Sequence, residues 1–503
     1  MAQEQKIRVI INGTERYVER GLKISDLLDI ELLCAGNGRC GKCKVFARGE
    51  LSALSDAEKQ LLSVEEIKSG IRLSCSAKVL GACEITTVAR ASSSANILTD
   101  ANTQNFDASA DFIGFGVAID VGSTTLAAQL YDASGALLSS AAILNPQSRC
   151  GADVISRIEY SLKNGPTLLA TLIRSAIDTL ICELCQKASV DAQKIEQTVI
   201  TGNTAMLYLL TSSSPLALSH APFEADRLFG EWLSAVDLGL SSLLPTSKVY
   251  LPHCISAFVG ADTVCALLSS QICNAADVAI LLDVGTNGEM ALKSGDTLLV
   301  CSTAAGPAFE GVGISCGMRG EIGAIDKVTV VNGNLVPHVI GAASPRGICG
   351  SGLVDAVASM LDLEYLDETG LLEDGDVQIC NAITLTQADI RNVQLAKSAI
   401  CAGVIKLARS ASVSLTSIDR ALIAGGFGSY LNMHSAARIG LIPKELERKA
   451  TAIGNAALAG AAAILLNPTS RAESERIAKS ATVVELASNP IFVDAYINCM
   501  MFE

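Results

Sequence analysis

The chain has 503 residues, half of them hydrophobic, and a formal net charge of −14. Its length suggests roughly three domains, its apolar content excludes global disorder, and its acidity speaks against a nucleic-acid partner, which needs clustered Lys and Arg. The longest apolar run, AALAGAAAILL near residue 460, falls short of the ~20 residues that span a bilayer and predicts a buried helix, so no membrane association is expected. The N-terminus MAQEQKIRV lacks the apolar stretch of a secretory signal, which predicts a cytoplasmic protein. Its 17 cysteines are then expected to be mostly thiols.

In chain order, KIRVII and TERYVE alternate like strands and are joined by Asn12-Gly13, a strong hairpin signal. LKISDLLDI predicts a short amphipathic helix with Ser25 or Asp26 near its N-terminus, and KCKVFARGEL predicts a strand. Between them lies CAGNGRCGKC, residues 34–43. It spells G-x-G-x-x-G and most of G-x-x-x-x-G-K, but both nucleotide motifs need a strand before and a helix after, and the order here is reversed. Position 43 is also Cys, where a phosphate loop needs Ser or Thr. What remains is Cys34, Cys40 and Cys43, with Cys75 following in RLSCSAKV. Three close cysteines on a glycine loop and a distant fourth match the ligand plan of a plant-type [2Fe–2S] centre, with one extra residue in the first gap. Glycines let backbone N–H groups approach the sulfurs. The alternatives are tetrahedral zinc, which two Cys-x2-Cys pairs would favour, and unconnected buried cysteines. Cys83 is a rival fourth ligand, but GACEITT reads as a turn into a closing strand. Hairpin, helix, loop, strand and late Cys together predict a β-grasp ferredoxin domain over residues 1–88.

Residues 89–112 are small, polar and without periodicity, which predicts a linker. The ICELC pair Cys182 and Cys185 lies in a long helical pattern with no further ligands nearby, and reads as buried helix cysteines. The remaining body contains an internal repeat. VAIDVGSTTLAAQLYDASGALLSS begins at Val117 and ILLDVGTNGEMALKSGDTLLVCS at Ile280. Each reads as strand, D-V-G-[ST] turn, strand, glycine-containing turn, strand. A buried strand ending in Asp presents a carboxylate, and the turn offers N–H groups and hydroxyls to phosphate. VITGNTAM at 199–206, ICGSGLVDAV at 348–357 and ALIAGGFGSYL at 421–431 are further glycine turns at strand or helix ends.

The order of these turns resembles the phosphate-1, phosphate-2 and adenosine elements of the acetate and sugar kinase, Hsp70 and actin superfamily, in which two duplicated RNase H-like lobes close on ATP. The resemblance implies an α/β ATPase with lobe I at 113–275 and lobe II, with a C-terminal segment, at 276–503. It implies that Asp120 and Asp283 hold hydrated Mg2+ or the attacking water. Gly122, Ser123, Thr124, Thr125, Gly285, Thr286 and Asn287 would surround the phosphates. Gly425, Gly426 and Phe427 would border the adenosine, with the Gly202-Asn203 turn also at the nucleotide. With a ferredoxin domain in front, the whole chain resembles the reductive activators of corrinoid proteins, to which NPQSRCGADVISRI, LLDVGTNGE and GPAFEGVGI also correspond. Longer members carry a further domain between linker and ATPase, for which residues 89–116 leave no room.

That resemblance implies a partner, the corrinoid protein of a methyltransferase system, and an upstream reductant. It leaves open a homodimer through the ATPase domain. Its function would be to return Co(II) to Co(I) with an electron from the cluster. Plant-type clusters lie near ~−400 mV, above such a cobalt couple, and each ~59 mV of shortfall costs about tenfold in equilibrium constant, a deficit that ATP would offset. The alternative is a metabolite kinase with a redox-sensing cluster, whose general base would be Asp153 unless that residue is a helix cap. Two further classes are an ATP-dependent scaffold and a 2-hydroxyacyl-CoA dehydratase activator; the latter bridges a [4Fe–4S] cluster between protomers, which a four-cysteine set in one domain disfavours.

Overall fold

The computed structural model describes residues 6–28, 30, 32, 36–39, 41–87, 108–380, 383–487 and 489–502. Cys34, Cys40 and most of the expected linker lie outside the described residues. The chain divides into two compact units: Met1–Ser92 with Leu144–Ala176 and Tyr208–Phe223, and Ser93–Ile143 with Ile177–Leu207 and Glu224–Glu503.

The first unit holds a five-stranded sheet, β2-β1-β5-β3-β4, built from β1 (Ile7–Ile11), β2 (Thr14–Val18), β3 (Lys44–Leu51), β4 (Ile71–Leu73) and β5 (Val79–Thr87). β1 and β5 pair in parallel, and the β1–β2, β3–β4 and β3–β5 pairs are antiparallel. The hairpin turn is as the sequence predicts, with φ of 49° at Asn12 and 80° at Gly13, the left-handed pair that a two-residue hairpin loop requires. The expected amphipathic helix is reduced to one 3-10 turn, Ile24–Leu27, ending at an extended Leu28. The Gly21, Ile24 and Ser25 N–H groups donate to the carbonyls of Val79, Ala77 and Ser74, donors that a helix start leaves free in any case, so the segment is pinned at its first turn. So short a segment gains too few internal bonds to extend the helix beyond it. In the same unit the helix Val154–Asn164 starts at Asp153, whose carboxylate accepts from Ser156 N–H at 2.8 Å. Leu32 N–H donates to the Ser148 carbonyl at 3.3 Å.

The second unit contains two six-stranded sheets that share the order of five strands and add the sixth at opposite edges. The first comprises β6 (Phe115–Val121), β7 (Thr125–Asp132), β8 (Leu137–Leu144), β9 (Ile195–Gly202), β10 (Glu231–Ser234) and β11 (Lys248–Leu251), in the order β10-β11-β9-β6-β7-β8. The second opens with β12 (Ala279–Val284), β13 (Gly288–Ser294) and β14 (Thr297–Thr303). A three-stranded sheet of β15 (Ala324–Val331), β16 (Asn334–Val339) and β17 (Gly347–Ile348) and a pair, β18 (Val377–Cys380) and β19 (Ile383–Leu385), are inserted next. Then β20 (Arg420–Ala424), β21 (Ala450–Gly454) and β22 (Thr482–Val483) complete the order β21-β20-β12-β13-β14-β22. In both sheets the Asp-bearing first strand pairs antiparallel with the second and parallel with the fourth.

The strand beside the fourth leads to a helix in each sheet: Ala261–Ser269 after β11 and Ala456–Leu466 after β21. These helices pack on one another in a shared core with Val199, Leu281 and Leu422. All of Ala456–Leu466 is buried, as the apolar run predicts. The crossing is close because Gly460 has no side chain: a Cβ there would stand 2.0 Å from the Cys265 carbonyl oxygen. Among the described residues, no helix is long and apolar enough to cross a membrane.

Candidate functional site

Of the four expected cluster ligands, Cys43 and Cys75 are described, and they meet: their sulfurs are 3.2 Å apart, both buried. Gly36, Gly38 and Gly41 have φ of 75°, 67° and 64°, left-handed values that glycine adopts without strain. A Cβ on Gly36 would lie 3.9 Å from Cys75 Cβ, and one on Gly38 3.1 Å from Ala57 Cβ, so the loop lies against Cys75 and the short helix Asp56–Leu61. That helix is braced by a buried ion pair. Arg72 donates to both Glu58 oxygens at 2.7 and 3.1 Å, and Leu73 N–H donates to one of them at 3.1 Å, fixing the strand that leads into Cys75. Contact with Cys75 pulls the Cys43 thiol down to about 6. Two sulfurs in contact beneath a glycine loop suit a thiolate-bound iron centre or zinc equally. Cys83 sits instead in β5 opposite Val9 and Gly49, with its thiol pushed up by burial. Cys182 is exposed and Cys185 buried on the helix Thr167–Ala188.

In the second unit the duplicated turns converge. β6 and β12 carry Asp120 and Asp283 one residue before their ends, and each following turn is closed by its glycine, the second one residue shorter than the first: Gly122 N–H donates to the Thr125 carbonyl and Gly285 N–H to the Asn287 carbonyl, each at 2.9 Å. Asp120 lies opposite Thr201 in β9, and Asp283 opposite Ala424 in β20. The Gly202-Asn203 and Gly425-Gly426 turns are therefore the same element in the two sheets. Gly425 has φ of 89°, and a Cβ there would stand 2.7 Å from Asp283 Oδ1; glycine makes room for the carboxylate. Phe427 stacks on Phe309 with ring centroids 5.1 Å apart.

Four groups at this convergence were not singled out by the turn motifs. Asp262 stands in the first turn of its helix, and Glu289 faces Asp283 across the β12–β13 ladder. Asn455 caps the other helix through Leu458 N–H and donates its side-chain N–H to Asp120 Oδ2 at 3.1 Å. Glu310, in the single turn Pro307–Glu310, accepts from Thr124 at 2.5 Å and from Thr286. Internal symmetry is the signal for two of them: Val259-Gly260-Ala261-Asp262 and Ile453-Gly454-Asn455-Ala456 both lead into the helix that follows the strand beside the fourth.

Burial raises Asp120, Asp262, Asp283 and Glu289, and repulsion from neighbouring carboxylates adds to it at Asp120, Asp262 and Glu289. Asp120 is pushed up to about 7, with the Asn455 hydrogen bond opposing and Asp283 assisting. Asp262 rises to about 7 through burial, Asp120 and Asp283, Asp283 to about 6 through burial, and Glu289 upward through burial, Asp262 and Asp283. A cation here would reverse these shifts. Among the described residues no three Asp, Glu, His or Cys side chains are spaced to hold a metal alone. Mg2+ does not need them, since it takes one or two carboxylates plus phosphate oxygens and water, and Asp120 and Asp283 fit that donor set. Asp153, the candidate base of a kinase, is a helix cap in the other unit.

The comparisons agree with this geometry. Residues 277–503 match the family model described as the C-terminal domain of RACo, the ASKHA domain, and residues 115–275 match that of the RACo middle region. The chain is 36% identical over 425 residues to the corrinoid activation enzyme RamQ of Eubacterium limosum, covering 77% of this chain and 70% of that protein. It is 24% identical to the [Co(II) methylated amine-specific corrinoid protein] reductase of Methanosarcina barkeri, covering 76% of each. A solved reductive activator for corrinoid, iron-sulfur protein superposes with a TM-score of 0.70 at 27% identity, covering 99% of this chain and 98% of that one. With two parallel-built sheets bringing their Asp turns together and these matches spanning the chain, the protein belongs to the family of reductive activators of corrinoid proteins and carries its ASKHA domain.

Proposed function

We propose that the protein is an ATP-dependent electron donor that returns the Co(II) corrinoid of a partner methyltransferase protein to Co(I). The observation that carries this reading is the convergence of Asp120 and Asp283 from duplicated sheets in a chain whose relatives are corrinoid activators. In this reading residues 1–88 form a ferredoxin domain, 89–112 a linker, and 113–275 and 276–503 the ATPase lobes. Cys34, Cys40, Cys43 and Cys75 hold a [2Fe–2S] centre, which when bound supplies one low-potential electron. The Glu58–Arg72 pair keeps Cys75 placed beneath the glycine loop, and the surrounding Leu62 and Leu73 exclude water.

At the ATPase, Asp120 and Asp283 organise Mg2+ and its waters. The turns Gly122–Thr125 and Gly285–Asn287 hold the phosphates, Gly202-Asn203 completes the first-lobe side, and Gly425, Gly426 and Phe427 border the adenosine. Nucleotide contacts to both lobes favour closure, and closure changes the fit of the corrinoid partner. The centre held by these cysteines would supply the one electron that cobalt takes up, and at the two turns Asp120 and Asp283 would direct water onto ATP to give ADP and phosphate, with no phosphorylated product. The test mixes pre-reduced protein, Mg·ATP and a Co(II) corrinoid protein without oxygen and follows the optical change to Co(I). Complete conversion without ATP, or ATP consumption that phosphorylates a sugar or carboxylic acid, overturns the proposal.

A further inference from the structure

Glu310 joins the two phosphate turns to each other, a contact that neither the turn motifs nor the acid cluster requires. Its segment enters at Gly306, with φ of 81°, and leaves at Gly311, with φ of 78°. Gly306 N–H donates to the Thr286 carbonyl at 3.0 Å, so the segment is anchored on the second turn. From there one carboxylate oxygen accepts from Thr286 and the other reaches Thr124 of the first turn at 2.5 Å. A Cβ on Gly285 would stand 3.9 Å from the same carboxylate. The neighbouring Phe309 stacks on Phe427, with an interplanar angle of 14°.

We propose that Glu310 is a clasp that ATP must open, a positioning residue whose carboxylate takes the two threonine protons that phosphate oxygens would need. The inference rests on the nucleotide reading of these turns. A threonine hydroxyl has one proton to donate. While Thr124 and Thr286 give theirs to Glu310, neither can give it to phosphate, and the carboxylate adds negative charge beside both turns. Phosphate entry therefore exchanges one pair of charge-assisted hydrogen bonds for another and expels Glu310 from between the turns. Because Phe309 is covalently next to Glu310 and stacked on Phe427, that displacement also reaches the loop after β20. Opening the clasp thus links arrival of phosphate to the packing of both lobes.

The test measures binding of a non-hydrolysable ATP analogue with Mg2+ to the full chain by calorimetry. Glu310→Gln keeps the shape and removes the charge, and it is expected to tighten binding by about tenfold or more, the scale of one charge–charge contact between its bulk-water and near-surface strengths. Glu310→Asp, too short to reach both hydroxyls, is expected to fall between Gln and wild type and serves if Gln does not fold. Thr124→Val with Thr286→Val is expected to weaken binding and to abolish the effect of Glu310→Gln. Unchanged or weaker analogue binding by folded Glu310→Gln overturns the clasp while leaving the nucleotide site standing. No analogue binding by the wild type overturns the nucleotide reading and the clasp with it.

Discussion

The two large sheets of the second unit share the order of five strands but not side chains, and each adds its sixth strand at the opposite edge. β6 and β12 both carry Asp one residue before their ends, yet what stands around each differs. Asp120 has Thr201 beside it in β9 and receives an Asn455 hydrogen bond from the second half. Asp283 has Glu289 on one side and the backbone of Gly425 on the other. The helix of the first half brings an acid, Asp262, and that of the second brings an amide, Asn455. Duplication supplies the frame, and divergence at equivalent positions makes one asymmetric site. The only carboxylate touching hydroxyls of both turns among the described residues, Glu310, comes from a segment after β14.

The largest expected effects test whether both halves take part in chemistry. Asp120→Ala and Asp283→Ala should each lower ATP turnover by on the order of 10²–10³-fold, the usual loss when a group stabilising transition-state charge is removed. Steady-state phosphate release measures it, and the visible absorption of the proposed iron–sulfur centre should be unchanged because the acids lie in the other unit. Normal turnover in either variant would make that half a structural copy.

The next contrast is between adjacent glycines. Gly425→Ala places a methyl against Asp283 on a backbone of positive φ, and should destabilise the second unit by about 1–3 kcal/mol. At Gly426 a Cβ would meet nothing within 4 Å. Gly426→Ala should therefore unfold at the wild-type temperature yet raise the KM for ATP, as expected if the nucleotide approaches there. Trp232 in β10, the sole tryptophan of the chain, reports unfolding of this unit. A wild-type KM for Gly426→Ala would detach the glycine pair from the nucleotide.

The raised acids predict a pH dependence of opposite sign to that of an ordinary salt-bridged carboxylate. Asp120 and Asp262 titrate at about 7 and Asp283 at about 6 in the folded chain, against a usual 3.8. Between about pH 4 and pH 7 the folded state holds protons that the unfolded state has released. Stability therefore falls as pH rises through that window and levels off above it. Asp120→Asn removes one of these groups and should flatten the slope by about one proton, read from Trp232 unfolding midpoints at several pH values. An unaltered slope would mean that Asp120 is already ionised at low pH.

Legibility from sequence followed the nature of the signal. The Asp turns were readable because a buried strand ending in D-V-G-[ST] occurs twice, and Asn12-Gly13 because its turn chemistry is local. Asp262 and Asn455 were not readable from such motifs, since an Asp or Asn at a helix start is ordinarily a cap. Asn455 is a cap, and its second bond to Asp120 exists only because the helices Ala261–Ser269 and Ala456–Leu466 cross closely at Gly460. Glu310 is joined to Thr124 across 186 positions, a distance no pattern spans. The helix expected in LKISDLLDI shrank to one turn in a segment pinned to residues 74–79, a distant contact that local periodicity does not show.

The smallest effect separates the two roles of Asn455. Its carbonyl oxygen accepts from Leu458 N–H at 2.9 Å, capping the helix, and its amide donates to Asp120 Oδ2 at 3.1 Å. Asn455→Ala loses both and should cost about 0.5–2 kcal/mol, the range for a lost cap. Asn455→Asp keeps an oxygen for Leu458 but replaces the donor with a carboxylate facing another carboxylate. At about pH 5, where Asp120 is held protonated, the Asp variant should match wild type in stability while the Ala variant does not. At about pH 8 both carboxylates ionise and repel, and the Asp variant should fall towards or below Ala. Unfolding midpoints of the two variants at the two pH values read this crossing. If Asn455→Asp matches wild type at both, the Asn455–Asp120 bond between the halves contributes nothing, and the asymmetry of the site rests on Asp262, Glu289 and Glu310 alone.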